Sequence, residues 1–442
     1  MIVIVKGRSP PSLSAAGTRA STICKDSLAA ARCITPKVLI RQNNGNAIHD
    51  LHLTVLHATA QCNPRSNDIK FSPNMIFTAL FHASSRAASN RSRTLHQCDF
   101  GTHSRHASSL CMSDLDTLPP VQREAAHAAL REVIGTATID AVTSVSGGAT
   151  SAQLFRIDAG GENYLLRIEG VPSPLRNPYQ YVSLRIAAEA GIAPRLYYAN
   201  ETSRVAVMDF VQRQPLGRYP GGLPVLAKAL GELLARLQAT PTFPSFVRYP
   251  DIVARLWAHV GRTGLFAPGV LDLCNEHLER IRVAYVWDDT NSVSSHNDPL
   301  PANILFDGVR LWMIDWESAY RTDPLVDLAV VGDSLARTPE LQDILHRAWR
   351  GHPLNDALRA RLAHVRALTR LYYAGVLLSA SATAPRTAPD TSLAAPTLAE
   401  LAEATSAGRI KVGTPAAKHV LGKMFLTSFL TDVATPGFDL SV

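Results

Sequence analysis

Residues 294–317 read SSHNDPLPANILFDGVRLWMIDWE. One His, three Asp, two Asn and a Glu are threaded between runs of Ile, Leu, Phe and Trp. Polar side chains are costly to bury unless they are paired or bind a metal. Pro299 and Pro301 bar a regular helix between Asp298 and Asn303. Beyond them, NILFDGVRLWMIDW alternates as two short strands joined by an Asp-Gly turn at Asp307-Gly308. Such a hairpin brings Asp315 back near Asn303.

The carboxamide of Asn303 and the carboxylate of Asp315 then converge as hard oxygen donors. That set suits magnesium, which takes few protein oxygens and fills its shell with water and substrate phosphates. Asp298 is left to accept a proton from an attacking hydroxyl. A base Asp, an Asn ligand and an Asp ligand are the working parts of phosphoryl transfer in kinases. The plainer reading is a loop whose Asp and Asn cap turns. A lone H-x-D-x-x-x-x-N arises by chance in roughly a few per cent of chains this long, from average residue usage. The hairpin and the closing Ile-Asp lower that rate, so the site reading is preferred. His296 is read as scaffolding that holds the loop by hydrogen bonds.

Outward from this stretch, the N-terminal side alternates as strands. PPVQREAAHAALREVIG is a predicted helix, with Pro at its start and Gly135 past its end. AVTSVSGGATSAQLFRIDAGGENYLLRIEG follows with strand alternation and turn signals at Gly147-Gly148 and Gly160-Gly161. A helix is predicted over about residues 178–190, then strands in PRLYYAN and RVAVMDFV. This order predicts an antiparallel sheet carrying one helix. The small residues of SGGATSAQ, among them Ser146, Gly147, Gly148 and Thr150, let backbone amides approach a phosphate. The C-terminal side is mostly helical. DPLVDLAVVGDSLA predicts a helix with Asp323 at its N-cap and Pro324 at its first position. An amphipathic helix over 359–380, a Pro/Ala/Thr-rich loop and a last apolar helix near 416–433 complete the chain.

Charge and cysteine separate one segment from the rest. Residues 1–111 hold 13 Lys and Arg against four acids, whereas the remainder holds 31 basic and 33 acidic groups. The net charge of +7 therefore belongs to the N-terminal stretch, and the body has no electrostatic footprint for nucleic acid. Five of six cysteines also lie there, without C-x-x-C spacing, leaving Cys274 alone in the body. A body with one cysteine fits a reducing compartment. Residues 1–111 show no sustained periodicity, and Met112 opens what looks like an ordinary start, so this segment is read as a disordered or non-native extension. No apolar run reaches transmembrane length.

SHNDPLPANILF, LWMIDWESA and DPLVDLA resemble the phosphotransferase signature of the choline/ethanolamine kinase family, within the aminoglycoside phosphotransferase-like group. The resemblance runs in order over about residues 137–380. It implies an α+β, bilobal protein-kinase-like fold. The N-lobe, 112–211, would hold a small antiparallel sheet with one main helix; the C-lobe, 212–442, would be larger and mostly helical. It implies transfer of the γ-phosphoryl group of ATP, with Mg2+, to a small-molecule hydroxyl. Asp298 matches the family's base, Asn303 and Asp315 its magnesium ligands, and Asp327 an acid that braces the catalytic loop. Arg167 resembles the basic residue that faces the nucleotide phosphates, and residues 208–211 resemble the adenine-binding hinge.

Two positions depart from the pattern. Gln180 stands where a Glu usually pairs with the strand cation; it can hydrogen-bond Arg167 but cannot neutralise it. Ser318 stands where choline and ethanolamine kinases often carry Tyr. Trp316, Glu317 and Tyr320 are the candidates for acceptor contacts, with Trp349, Tyr372 and Tyr373 as further aromatics. The expectation is a cytoplasmic small-molecule kinase acting on an amino alcohol such as choline or ethanolamine, with no nucleic-acid or membrane partner. An aminoglycoside, thiamine or sugar kinase of the same fold, and a catalytically silent kinase-like binding module, are the alternatives.

Overall fold

Apolar alternation between residues 139 and 209 builds one antiparallel sheet in a computed structural model of the chain. Its strands are β1 (Ile139–Ser144), β2 (Gln153–Ala159), β3 (Glu162–Ile168), β4 (Leu196–Asn200) and β5 (Val205–Asp209), in the order β1-β2-β3-β5-β4. The structure describes residues 115–145, 152–170, 177–285, 289–435 and 438, all within one compact unit, Lys70–Val442. The N-terminal extension 1–111, its boundary at Met112 and the loop residues Ser146, Gly147, Gly148 and Thr150 lie outside the described residues.

The β2–β3 hairpin closes with Ala159 opposite Glu162, so Gly160 and Gly161 form a two-residue turn. Their φ values of 59° and 83° are left-handed, which a primed turn requires and glycine adopts at no steric cost. Alternation gives the sheet two different faces. Phe155, Ile157, Leu166, Ile168, Val205 and Val207 pack against α1 (Pro120–Ile134). Ala206 and Met208 point to the other side, where α2 (Gln180–Glu189) and the larger core lie. Arg167, between Leu166 and Ile168, shares this second face.

The larger core gathers α3 (Gly222–Gln238), α4 (Tyr249–Arg262), α5 (Asp272–Ala284), α6 (Leu325–Ser334), α7 (Pro339–Arg350), α8 (Asp356–Ser381), α9 (Leu398–Ser406) and α10 (Pro415–Val433). Helix α6 is buried along its whole length. It starts one residue later than the sequence predicts: Asp323 caps the Leu325 amide at 2.9 Å, and Pro324 is the flanking residue. Buried Asp333 of α6 pairs with Arg366 (3.4 Å) and Arg370 (3.3 Å) of α8, and Arg370 also pairs with Asp432 of α10. These pairs bolt the last helix to the core; buried charges persist only when so matched.

Two small ribbons sit between the sheet and the helices. β6 (Val293–Ser295) pairs with β9 (Tyr320–Thr322), and β7 (Ile304–Phe306) with β8 (Leu311–Met313). The second is the hairpin expected from the sequence. Its loop spans residues 307–310, with the Asp307 carboxylate accepting the Val309 and Arg310 amides at 2.7 and 2.8 Å.

Close helix approach makes a sharp stability contrast. A Cβ at Gly231 of α3 would lie 2.5 Å from the Leu345 carbonyl oxygen and 2.9 Å from the Trp349 nitrogen of α7, both backbone atoms. At Gly261 of α4 it would meet nothing within 4 Å. Gly261→Ala is expected to stabilise by up to about 1 kcal/mol through helix propensity. Gly231→Ala is expected to destabilise by about 1–3 kcal/mol through overpacking, measured by urea denaturation.

Candidate active site

The site is built on a carboxylate that touches no solvent. Asp327, fully buried in the first turn of α6, accepts the His296 amide at 2.8 Å on one oxygen and the Asn297 amide at 2.7 Å on the other. Burial pushes its carboxyl up, while the amide donors pull against that shift. Asn297 is left-handed, with φ 62°, an uncommon state for a residue other than glycine. Its side-chain amide donates to the Ser318 carbonyl at 2.9 Å and the Tyr320 carbonyl at 3.3 Å. His296 lies with Nε2 2.8 Å from the Ile314 carbonyl, which can only accept, so Nε2 carries the proton. Burial lowers its affinity for a second proton and holds the ring neutral against Trp316, 4.7 Å away between centroids. Segments 296–298 and 314–320 are thereby locked to each other.

Asp298 follows directly. Its Oδ1 accepts the Tyr373 hydroxyl at 2.7 Å, and its Oδ2 accepts the Asn303 amide at 3.0 Å. Asn303 also donates to the Asp298 carbonyl at 2.9 Å. Burial pushes the Asp298 carboxyl up to about 8; Asp315 and Glu317 add to that, and the Tyr373 and Asn303 hydrogen bonds oppose it. Tyr373 belongs to α8, where α10 backs it through Phe425, 5.8 Å between ring centres.

Asp315 reaches this group because the Ile314 amide donates to the Asn303 carbonyl at 2.9 Å. Its own backbone is left-handed, φ 67° and ψ 64°, a costly conformation of the kind that clusters at functional sites. Arg167 crosses from the sheet to donate to Asp315 Oδ1 at 3.0 Å. Glu169 and Glu317 lie 3.4 and 3.6 Å from the same guanidinium. The side-chain amide of Gln180 donates to Glu169 at 2.6 Å. The partner that the sequence suggested for Gln180 was Arg167 itself; in the structure Glu169 stands between them, because the strand runs on past Arg167 and turns this acid to the same face.

The acceptor candidates separate by burial. Trp316, 4% exposed, packs between His296 and Phe243, with its indole N–H on the Met313 carbonyl at 3.2 Å. Tyr320 is equally buried against Phe246. Both rings pack inward into the core, directed there by the 3-10 turn and β9. Glu317, with 45% of its side chain exposed, is the candidate that reaches solvent. Tyr372 and Tyr373, read from sequence only as spare aromatics, meet edge to face at 5.4 Å, and Tyr372 lies 5.9 Å from Tyr249.

Asn303 and Asp315 together offer two hard oxygen donors. Asn303 commits its amide nitrogen to Asp298, which reserves its carbonyl oxygen as a donor. Arg167 takes Oδ1 of Asp315, leaving Oδ2. Among the described residues no group of three His, Cys, Asp or Glu could hold a metal alone. Two protein oxygens, completed by water and phosphate, fit the habit of magnesium.

Residues 141–364, half of the chain, match the phosphotransferase enzyme family, APH. The chain belongs to that family. The matched span of this phosphotransferase contains Arg167, Asp298, Asn303, Asp315 and Asp327, and ends before Tyr373. Among solved structures it is similar to LicA in complex with AMP, at 12% identity and TM-score 0.50, covering 71% of this chain and all of that one. It is equally similar to a choline kinase from Cryptosporidium parvum, at 12% identity and TM-score 0.50, covering 70% and 94%. A choline/ethanolamine kinase family protein from Mesorhizobium loti aligns at 19% identity and TM-score 0.48, covering 73% and 97%. At these identities the likeness is one of fold, and that fold is the α+β, bilobal, protein-kinase-like one. No curated protein matches the chain.

Removing the brace tests this arrangement. Asp327→Ala leaves two buried backbone amides without their acceptor, and is expected to cost the phosphotransferase about 2–5 kcal/mol in denaturant unfolding. Any folded remainder is expected to lose activity as well.

Proposed function

We propose that this phosphotransferase moves the γ-phosphoryl group of ATP to the hydroxyl of a small amino alcohol such as choline or ethanolamine. The observation that carries the reading is Asp298, a partly buried carboxylate with both oxygens oriented, by Tyr373 and by Asn303, whose own carbonyl accepts the Ile314 amide next to Asp315. Asp298 orients the acceptor hydroxyl and receives its proton as the phosphoryl group is attacked in line. Asn303 and Asp315 would hold magnesium, which when bound neutralises charge on the phosphates. Arg167 faces those phosphates from the sheet, and Ser146, Gly147, Gly148 and Thr150 are proposed as nucleotide contacts because small residues let backbone amides approach a phosphate. His296 and Asp327 keep the loop in place. Residues 112–211 form the nucleotide-binding lobe and 212–442 the lobe carrying base, metal site and acceptor pocket.

Charge and aromatics support a cationic acceptor. Asp315 and Glu317 place negative charge beside Asp298, and the partly exposed ring of Tyr372 lies near the same carboxyl. An ammonium group is attracted to both aromatic faces and carboxylates. Among the described residues no helix is long and apolar enough to cross a membrane. We place the protein in the cytoplasm, where ATP is at hand.

The test is magnesium-dependent ATP consumption across a panel of choline, ethanolamine, an aminoglycoside, thiamine and neutral sugars. The amino alcohols should give the highest kcat/KM; a preference for neutral sugars would overturn the acceptor assignment, and no turnover with any alcohol the enzymatic one. Asp298→Asn should lower kcat by about 10²–10⁴-fold, the range of a lost general base.

The pH profile has a definite sign. With its pKa raised to about 8, Asp298 is protonated below that pH and ionised above it. As only the ionised form accepts a proton, kcat/KM should climb with pH and level off above about 8. Tyr373→Phe removes a hydrogen bond that favours the ionised form, so the rise should move to higher pH.

A further inference from the structure

We infer that Glu169 is the positioning residue for Arg167 in this chain, the carboxylate that holds the phosphate-facing guanidinium when substrate occupies the cleft. The inference rests on the proposed placement of ATP phosphates at Arg167. Three acids surround that guanidinium, and they differ in what they are free to do. Asp315, at 3.0 Å, is one of the two oxygen donors assigned to magnesium, so its bond to Arg167 competes with metal binding. Glu317, at 3.6 Å, has nearly half of its side chain in solvent, where an ion pair is weak and its geometry loose. Glu169 lies 3.4 Å away with only 8% of its side chain exposed, and Arg167 itself is 14% exposed. Coulomb attraction is screened least for this pair.

Geometry fixes Glu169 as well. Two residues beyond Arg167, it lies on the same face of the strand. Its backbone amide continues the pairing of the sheet by donating to the Arg204 carbonyl at 3.0 Å. From α2, the buried Gln180 amide donates to the Glu169 carboxylate at 2.6 Å, on the oxygen that also faces Arg167. Gln180 therefore does not need to carry a charge. The negative charge sits on the strand, and the helix supplies a neutral donor that aims it. A Glu at 180 would set two carboxylates against each other in a buried place, which costs energy unless one is protonated. The Gln on the helix and the Glu on the strand are a matched exchange of roles.

A double-mutant cycle between positions 167 and 169 tests this, with ATP affinity of the full chain measured by calorimetry in the presence of magnesium. Arg167→Met should weaken binding by about tenfold or more, as expected for loss of a charged hydrogen bond. Glu169→Gln should weaken it by about tenfold in the parent and by less than about twofold in the Arg167→Met background, since residues acting as a unit are non-additive. Equal losses in both backgrounds would overturn the inference and assign Glu169 only to the strand–helix join. An unchanged affinity in Arg167→Met would overturn it too, by removing the function that Glu169 positions. Glu169→Asp keeps the charge; in the expected case it binds ATP more tightly than Glu169→Gln, and the reverse order would also count against the inference.

Discussion

The site depends on one buried carboxylate receiving two consecutive backbone amides. Asp327 stands in the first turn of α6, where the helix dipole favours negative charge, and α6 is encased by the larger core. Because its two oxygens fix the amides of His296 and Asn297, the chain must take the left-handed step at Asn297. That step delivers Asp298 to the cleft and turns the Asn297 side chain onto the 318–320 segment. A loop with two prolines and a strained residue would otherwise have many conformations. Here the helix core supplies the rigidity, and the loop presents the proposed base.

From that anchor the parts are set in pairs. Asn303 and Asp315 meet because the β7–β8 hairpin is short and its strands are in register, Ile304 opposite Met313. Asp298 is oriented from two directions, by Asn303 in its own loop and by Tyr373 from α8. The last helix matters through this second contact: α10 packs along α8, supports Tyr373 through Phe425, and is bolted by Arg370 and Asp432. The sheet enters through Arg167, backed by Glu169, and the Arg167 bond to Asp315 ties the sheet to the 314–320 segment. Asn177 and Ser183, next to and within α2, add a second tie by donating to the Ala319 carbonyl at 2.6 and 2.8 Å.

Much of this was legible in the sequence because it is local. The hairpin after Asn303, the turn at Gly160-Gly161 and the helix start at Asp323-Pro324 are set by neighbouring residues with strong conformational preferences. The helix α7 was not singled out, although Thr338 before Pro339 and Gly351 after Arg350 are ordinary boundary signals and Thr338 does cap it. Its apolar stripe of Leu341, Ile344, Leu345, Ala348 and Trp349 also keeps helical spacing, so this helix too is legible in the sequence. What local reading misses is contact across the chain. Tyr373 lies 75 positions from Asp298, and nothing in LYYAG distinguishes the tyrosine that reaches a carboxylate from one that packs. Trp316 sits next to Asp315 in sequence, yet the direction of a 3-10 turn sends it into the core. Glu169 was passed over because the sequence draws attention to the helix position where an acid was missing, while the strand already held one.

The central claim is that Asn303 and Asp315 hold the metal while Asp298 stays off it to serve as base. A crystal structure with manganese in place of magnesium and a non-hydrolysable ATP analogue tests this directly, since manganese is located by its anomalous scattering. One or more ions should be bound to Asn303 Oδ1 and Asp315 at about 2.0–2.3 Å, with Asp298 outside their coordination and Arg167 turned toward the phosphates. An ion ligated by Asp298, or a nucleotide bound away from Arg167 and Asp315, would contradict it.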